Sequence, residues 1–285
     1  MSPRMDSRHH DDSWDALSAL GDDEIPLLRA TLLVARDEYP DLDIAAYESL
    51  CGQYESELRS RIDALDGPQP RLAAINRYLF DDLGFSGNQQ DYYDPRNSYL
   101  NDVLDRKLGI PISLGVIQME LARRMGVPLE GVSFPGHFLV RLPVDGGLLV
   151  LDPYHKGRSV DAHELKLRAS PHLGGNDIDD QQLLQILAPA SHRAILMRML
   201  RNLKGLYSER EAWDKALRCA DRLVRLDGSQ ADEVRDRGML YLRLGHGKGA
   251  RSDLSRYLHL KPDADDVDSV RTALIEAGGN SGRLN

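Results

Sequence analysis

The stretch that decides the fold is residues 109–130, "GIPISLGVIQMELARRMGVPLE", and it is followed by "PGHFLV" at 135–140 and "LDPYH" at 151–155. Its apolar residues recur at helical spacing and its end carries Gly and Pro, so we predict a helix over 113–125. Ser113 then opens a helix, where unpaired backbone N–H groups and the helix dipole favour negative charge. A serine at this position is a candidate nucleophile or a helix N-cap.

Two strands, "HFLVRL" and "LLVLD", are predicted after this helix, because the "PVDGG" between them contains Asp-Gly, a strong hairpin signal. A turn centred on 144–145 makes His137 and Asp152 direct cross-strand neighbours. A turn centred on 145–146 makes them diagonal neighbours on the same face. In either register Asp152 can hydrogen-bond a ring nitrogen of His137.

The order serine, histidine, aspartate suggests a catalytic triad of nucleophile, base and orienting acid. Ser113, His137 and Asp152 are therefore the candidate catalytic residues. The alternative is structural, with Ser113 as a helix cap and the other two as a hydrogen-bonded pair that stabilises the hairpin. The residues alone leave both interpretations open.

A second region has a repeat of 34 residues, the period of a tetratricopeptide helix pair. The second copy, 231–264, carries small, aromatic and turn residues at the expected positions, and the first, 197–230, is a weaker match. Two such units bury little surface, so we expect the helix 265–277 to cap them and the preceding domain to support them. Repeats of this kind are expected to bind a protein or peptide partner.

Four long motifs together resemble the bacterial SirB-type proteins, which belong to the transglutaminase-like branch of the papain superfamily. The motifs are "DYYDPRNSYLNDVLDRKLGIPISL", "GVSFPGHFLVRL", "LDPYHKGR" and "RMLRNLK", the last leading into the repeats. The resemblance covers residues 25–277. It implies an α+β fold with a helical N-terminal layer and a transglutaminase-like core. The core consists of a central helix on a small antiparallel sheet. All-α tetratricopeptide helix pairs follow it.

The resemblance also implies roles for individual residues. In catalytic transglutaminase-like enzymes the residue that opens the helix is Cys, and Ser113 stands there in this chain; His137 and Asp152 match the histidine and the aspartate. Serine at this position excludes thiol chemistry. We therefore expect a regulatory or adaptor protein, and the alternative is a serine-dependent amide or ester hydrolase or acyltransferase that uses the three residues as a triad.

Four further residues are predicted to line the same cleft. Tyr154 and His155 follow Asp152 directly, and Asn97 and Asn101 lie in the segment before the helix. Tyr154 and His155 also have a structural interpretation as turn residues, and Asn97 as a helix cap. Asn101 is in addition a candidate for an oxyanion hole beside Ser113.

A metal site is not predicted, and neither is a cofactor. His137, Asp152, His155 and His163 carry imidazole and carboxylate groups that suit several divalent ions. Their spacing matches no recognised ligand pattern.

The composition limits the class of partner and compartment. The 285 residues are 41% hydrophobic and 28% charged, and the net charge of −9 disfavours nucleic acid as a partner. No apolar run is long enough to span a membrane, and the polar start is unlike a signal peptide. Two distant cysteines, Cys51 and Cys219, fit buried thiols in a reducing compartment, so the cytoplasm is expected.

The predicted organisation has three parts. Residues 1–12 are expected to be a disordered tail, 13–190 the transglutaminase-like domain with its N-terminal helices, and 191–285 the repeat domain. Three helices are predicted between Ile25 and Asp82. The polar segment 166–180 looks like a boundary.

Overall fold

The computed structural model of the protein describes residues 13–279, so the predicted tail at 1–12 lies outside the described residues. The chain forms two compact units. One consists of residues 22–196, and the other combines 13–21 with 197–279. Among the described helices, none is both long and apolar enough to cross a lipid bilayer.

The first unit begins with a layer of three helices, as the sequence predicts. Pro and Gly residues separate them, and each buries one apolar face. The third continues as a π-helix over Arg77–Asp82. The helices are α1, Leu27–Glu38; α2, Ile44–Ile62; and α3, Pro68–Asn76.

The centre of this unit is the helix α5, Pro111–Arg124, which contacts all three N-terminal helices and the sheet. Most of its residues are buried, because its apolar positions extend around the helix rather than along one stripe. It begins two residues before the predicted start, with Pro at the first helical position, where a missing N–H costs nothing. The short helix α4, Leu100–Arg106, precedes it.

Two short parallel strands, β1 at Ser86–Gly87 and β2 at Leu108–Gly109, lie at the entrance to α5. The larger sheet is antiparallel with the order β3-β4-β5-β6. Its strands are β3, Glu130–Val132; β4, Leu139–Val144; β5, Gly147–Asp152; and β6, Arg158–Ser159.

The hairpin between β4 and β5 settles the register. Val144 pairs with Gly147 and Val140 with Leu151, so the turn is centred on 145–146. The register predicted for a turn centred on 144–145 was therefore wrong, and the register predicted for a turn centred on 145–146 is confirmed. The positive φ of Gly146, 81°, explains why the turn is this tight.

The composition of residues 166–180 suggested a boundary between domains, and this prediction was wrong. In the structure the segment lies within the first unit. Helix α6, Ala162–Ala169, continues into a 3-10 turn at Ser170–Leu173, and α7, Asp180–Ile186, follows. The two helices bury apolar residues against the sheet. This cluster includes Val132, Phe134, Leu139, Val150, Leu165, Ala169, Ile178, Leu183 and Leu187.

The second unit contains two helix pairs and a capping helix, as the 34-residue period predicts. Gly238 allows the second pair to pack closely, since a Cβ atom there would lie 2.8 Å from Leu254. The helices are α8, His192–Glu209; α9, Trp213–Leu226; α10, Ala231–Arg243; α11, Gly247–Leu260; and α12, Val267–Gly279.

Candidate functional site

The hydroxyl group of Ser113 is engaged by the backbone. Its oxygen lies 2.6 Å from the carbonyl oxygen of Asn97 and 3.1 Å from that of Ile110, and it accepts the N–H of Ile110 at 3.1 Å. Ser113 is fully buried. Ile110 is the N-cap, so Ser113 is the third residue of the helix, and its side chain accepts the backbone N–H of the N-cap residue. The interpretation of Ser113 as the N-cap is therefore wrong.

The face of α5 that meets the hairpin carries Gly115. A Cβ atom at Gly115 would lie 2.7 Å from the ring of Phe138 and 3.6 Å from Cγ of Pro153, the neighbours of His137 and Asp152. Successive helical residues are rotated by about 100°, so Ser113 lies about 200° from Gly115. The side chain of Ser113 therefore belongs to the opposite face of the helix.

Asp152 is the centre of a cluster at the end of β5. Its Oδ1 lies 2.9 Å from Nε2 of His137 and accepts the backbone N–H of Tyr154 at 3.1 Å. Its Oδ2 lies 2.8 Å from Nδ1 of His155 and accepts Nη1 of Arg168 at 2.9 Å. The hydrogen bond between His137 and Asp152 that the hairpin predicts is thus present, with two further side chains on the same carboxylate.

The electrostatics of the cluster favour an ionised carboxylate. The Asp152 side chain is fully buried, and this burial alone would raise its pKa. The hydrogen bonds and charges of His137, Arg168 and His155 outweigh burial and hold the pKa of Asp152 well below its usual range. Asp152 is therefore expected to be negatively charged at neutral pH.

Tyr154 and His155 also lie at this cluster, and their role in lining a pocket stays a prediction. The Tyr154 hydroxyl donates to the carbonyl oxygen of Asn88 at 2.9 Å, and its ring packs on Gly87, where a Cβ atom would lie 2.5 Å away. Burial, and to a lesser extent the charge of Asp152, raises the pKa of Tyr154. The side chain of His155 is 43% exposed.

Asn97 and Asn101 are both buried. The Asn97 amide donates to the carbonyl oxygens of Asp91 and Tyr92, at 2.7 and 3.2 Å, so it shapes the loop before the helix. Among the described residues, the amide oxygen of Asn101 has no hydrogen-bond partner. Their role as cleft residues stays a prediction.

An aromatic wall, formed by Tyr93, Tyr92 and Tyr154, leads from the surface to the two histidines. Consecutive rings meet edge to face, with centroids 5.3 and 5.8 Å apart. The ring of Tyr154 lies 6.3 Å from that of His137 and 5.3 Å from that of His155. The exposed fractions of Tyr92 and Tyr93 are 40% and 67%, so this wall is open to solvent.

Comparison with known proteins gives the family. Residues 45–201 match the model of the transglutaminase-like superfamily, and residues 203–274 match that of the tetratricopeptide repeat. The chain belongs to the transglutaminase-like superfamily. This confirms the predicted order of a transglutaminase-like domain followed by repeats.

Three relatives illustrate the range of the transglutaminase-like family. A UPF0162 protein of Xylella fastidiosa is 56% identical over 92% of this chain and 94% of its own length. A UPF0162 protein of Vibrio cholerae is 32% identical over 71% of this chain and 74% of its own length. F-box only protein 21 of Homo sapiens is 32% identical over 72% of this chain, which corresponds to 31% of that longer protein.

Arg168 is a member of the cluster around Asp152 that the sequence did not reveal. It lies on α6 and binds both Asp152 and, at 2.6 Å, Glu164 one turn earlier. The sequence signal, an acidic residue four positions before a basic one, indicates only a surface ion pair. Its approach to Asp152 depends on how α6 packs on the sheet.

The donor atoms of His137, Asp152 and His155 all lie within 4.8 Å of one another, which makes these residues the candidate ligands for a metal ion. His163, the fourth residue considered from the sequence, is not part of this group. The first three residues come together through the hairpin and the 3-10 turn at Pro153–His155, not through a spacing pattern.

Proposed function

We propose that the protein is a regulatory or adaptor protein in which the transglutaminase-like cleft does not use Ser113 as a nucleophile and the repeats bind a protein partner. One observation supports the proposal that Ser113 is not a nucleophile. The buried hydroxyl of Ser113 donates to a backbone carbonyl group, whereas a nucleophilic serine donates to its general base.

The alternative, a hydrolase or acyltransferase with a Ser113-His137-Asp152 triad, has support from the hydrogen bond between His137 and Asp152. It requires the Ser113 hydroxyl to leave both the Asn97 carbonyl and the Ile110 N–H. That change would leave a buried donor without a partner, at a cost of about 1–3 kcal/mol. The observed geometry therefore favours the adaptor role.

The repeats support a role in binding, since tetratricopeptide repeats generally mediate interactions between proteins. Three large apolar side chains on helices α10 to α12 are exposed: Met239, Leu260 and Ile275, the last by 77%. Exposed apolar side chains are candidate contacts for a partner protein. The net charge of −9 argues against nucleic acid as that partner.

We infer that the protein works in a reducing compartment, the cytoplasm. Cys51 and Cys219 are both buried, and within the described residues neither forms a disulfide. Burial raises the pKa of the Cys51 thiol to about 11, which keeps it protonated and unreactive. Free thiols are typical of proteins from reducing compartments.

The proposal that Ser113 is not a nucleophile is tested by labelling the purified full-length protein with a fluorophosphonate, followed by peptide mass spectrometry. We expect no adduct on Ser113 in the folded protein. An adduct on Ser113 that disappears in His137→Ala would overturn the proposal in favour of the triad. Ser113→Ala serves as the control for the assignment of the modified peptide.

The proposal that the repeats bind a protein partner is tested by cross-linking and affinity purification of the tagged full-length chain in its native host. We expect the same partner to be recovered with wild-type protein and Ser113→Ala, and to be lost with the double variant Met239→Glu and Ile275→Glu. Recovery that is unaffected by the double variant would contradict binding through the exposed apolar side chains of the repeats.

A further inference from the structure

The arrangement around Asp152 has the dimensions of a metal site. The carboxylate oxygens lie 2.9 Å from Nε2 of His137 and 2.8 Å from Nδ1 of His155. Nitrogen and oxygen ligands lie about 2.1 Å from an ion such as Zn²⁺, so two ligands at the tetrahedral angle are about 3.4 Å apart. An ion in place of the two imidazole protons would therefore require the observed separations to widen by about 0.5 Å.

The remaining hydrogen bonds of Asp152 would persist around such an ion. With the imidazole protons displaced, Oδ1 would keep the backbone N–H of Tyr154 and Oδ2 would keep Arg168. Each oxygen would then have one metal bond and one hydrogen bond. Carboxylates that ligate metals are generally held by such outer hydrogen bonds, which orient them.

The charges are also compatible with a cation. The Asp152 carboxylate is buried, and Arg168, which donates to its Oδ2 at 2.9 Å, also lies 2.6 Å from Glu164. The two arginines Arg168 and Arg158 lower the pKa of that Glu164 carboxyl to about 2, with the Arg158 hydrogen bond as the largest cause. Glu164 thus offsets part of the repulsion between Arg168 and an ion.

Access from solvent is provided by His155. Its side chain is 43% exposed, while that of His137 is 19% exposed and that of Asp152 is fully buried. An ion would therefore enter past His155. Three protein ligands leave further positions on the ion for water or for an oxygen atom of a bound partner.

We propose that His137, Asp152 and His155 form a binding site for a divalent transition-metal ion. Two imidazoles and one carboxylate suit Zn²⁺, Ni²⁺ or Co²⁺ better than Mg²⁺ or Ca²⁺, which prefer oxygen ligands. The proposal is independent of the adaptor role, because it involves neither Ser113 nor the repeats.

The experiment is calorimetric titration of chelator-treated full-length protein with Zn²⁺. His9 and His10 are adjacent in the sequence and could bind zinc themselves, so all proteins carry His9→Gln and His10→Gln. In this background we expect one site per chain, with affinity at least tenfold weaker in His155→Gln. His163→Gln is the matched control, because His163 is exposed and outside the cluster, and its affinity should be unchanged.

The absence of zinc binding to folded protein would overturn the proposal, and so would equal affinity in the His155→Gln variant. Titration with Co²⁺ gives a second readout, since imidazole ligands should produce a visible absorption band that His137→Gln and His155→Gln both alter. Circular dichroism confirms that each variant is folded, and a Co²⁺ spectrum identical in all variants would also refute the site.

Discussion

The hydroxyl group of Ser113 donates a hydrogen bond to the carbonyl oxygen of Asn97 over 2.6 Å. This bond joins the start of the central helix to the loop before it, inside a fully buried region. It uses the proton that a catalytic serine would give to a histidine. The position of Ser113 in the sequence suggests chemistry, while its bonds indicate a structural role.

The first prediction concerns the reactivity of position 113. In Ser113→Cys, we expect the new thiol to resist alkylation by iodoacetamide at pH 7.5, because the side chain is buried and faces away from the hairpin. Peptide mass spectrometry of the folded protein measures the modification. Labelling in urea, where Cys51, Cys219 and the new cysteine should all react, is the control. Rapid alkylation that depends on His137 would place residue 113 beside that histidine.

The second prediction concerns stability. Ser113→Ala removes a donor to Asn97 and the acceptor for the Ile110 N–H, so we expect the free energy of unfolding to fall by about 1–3 kcal/mol. Urea denaturation measures the change. Ser60→Ala is a suitable control, since the Ser60 hydroxyl is exposed and bonds only to the nearby Glu57 carbonyl. An equally small loss in both variants would show that the Ser113 bonds contribute little.

The third prediction concerns Arg168. Its replacement by Gln removes a charged hydrogen bond from the buried carboxylate of Asp152, and we expect a loss of roughly 1.5–3 kcal/mol in the free energy of unfolding. Arg158→Gln is the matched control, because Arg158 is 44% exposed and binds Glu164 at the surface, where an ion pair contributes at most about 1 kcal/mol. Equal losses in the two variants would mean that Arg168 acts only through Glu164.

Much of the fold follows from local patterns in the sequence. The three N-terminal helices, the hairpin and the 34-residue repeats were predicted because each depends on residues close together in the chain. The hairpin also placed His137 and Asp152 together in both registers considered. Pairing across a tight turn leaves few alternatives.

The parts that were missed depend on details of tertiary packing. Because α5 starts two residues earlier than predicted, Ser113 is its third residue, and the hydroxyl group bonds to the backbone of Ile110 and Asn97. Arg168 contacts Asp152 only because α6 packs on the sheet. The polar residues that surround Arg168 in the sequence suggested a domain boundary instead. Neither relationship leaves a periodic signal in the chain.

The fourth prediction concerns the contact between α5 and the hairpin. Alanine is normally better than glycine within a helix by about 0.5–1 kcal/mol. In Gly115→Ala, however, the new methyl group would lie 2.7 Å from the Phe138 ring, and overpacking of a core typically costs about 1–3 kcal/mol. We expect a net loss of stability in urea denaturation.

Gly52→Ala provides the comparison for Gly115→Ala. Gly52 lies within α2 of the same unit, and a Cβ atom there would meet only Arg124, at 4.0 Å. We expect this variant to be stabilised by about 0.5–1 kcal/mol. If both variants were stabilised, the close packing of α5 on Phe138 would be contradicted.

The last prediction concerns the pH dependence of the repeat unit. Burial raises the pKa of Asp236, but hydrogen bonds and charges from Lys204 and Arg235 outweigh it, so the pKa lies below its ordinary value. The folded state then binds this proton less readily than the unfolded state. The stabilisation from Asp236 is therefore complete above the unfolded pKa of about 3.9 and is lost as the pH falls towards the folded value.

Thermal unfolding of wild-type protein and Asp236→Asn from pH 7 to pH 2.5 tests this dependence on Asp236. The variant should be less stable at neutral pH, and the difference in melting temperature should shrink below about pH 4, once the wild-type carboxyl becomes protonated. Asp268→Asn is the control, because the Asp268 side chain is 96% exposed and should change the melting temperature little at any pH. A difference between wild type and Asp236→Asn that stays constant down to pH 2.5 would show that the carboxylate charge of Asp236 does not stabilise the repeats.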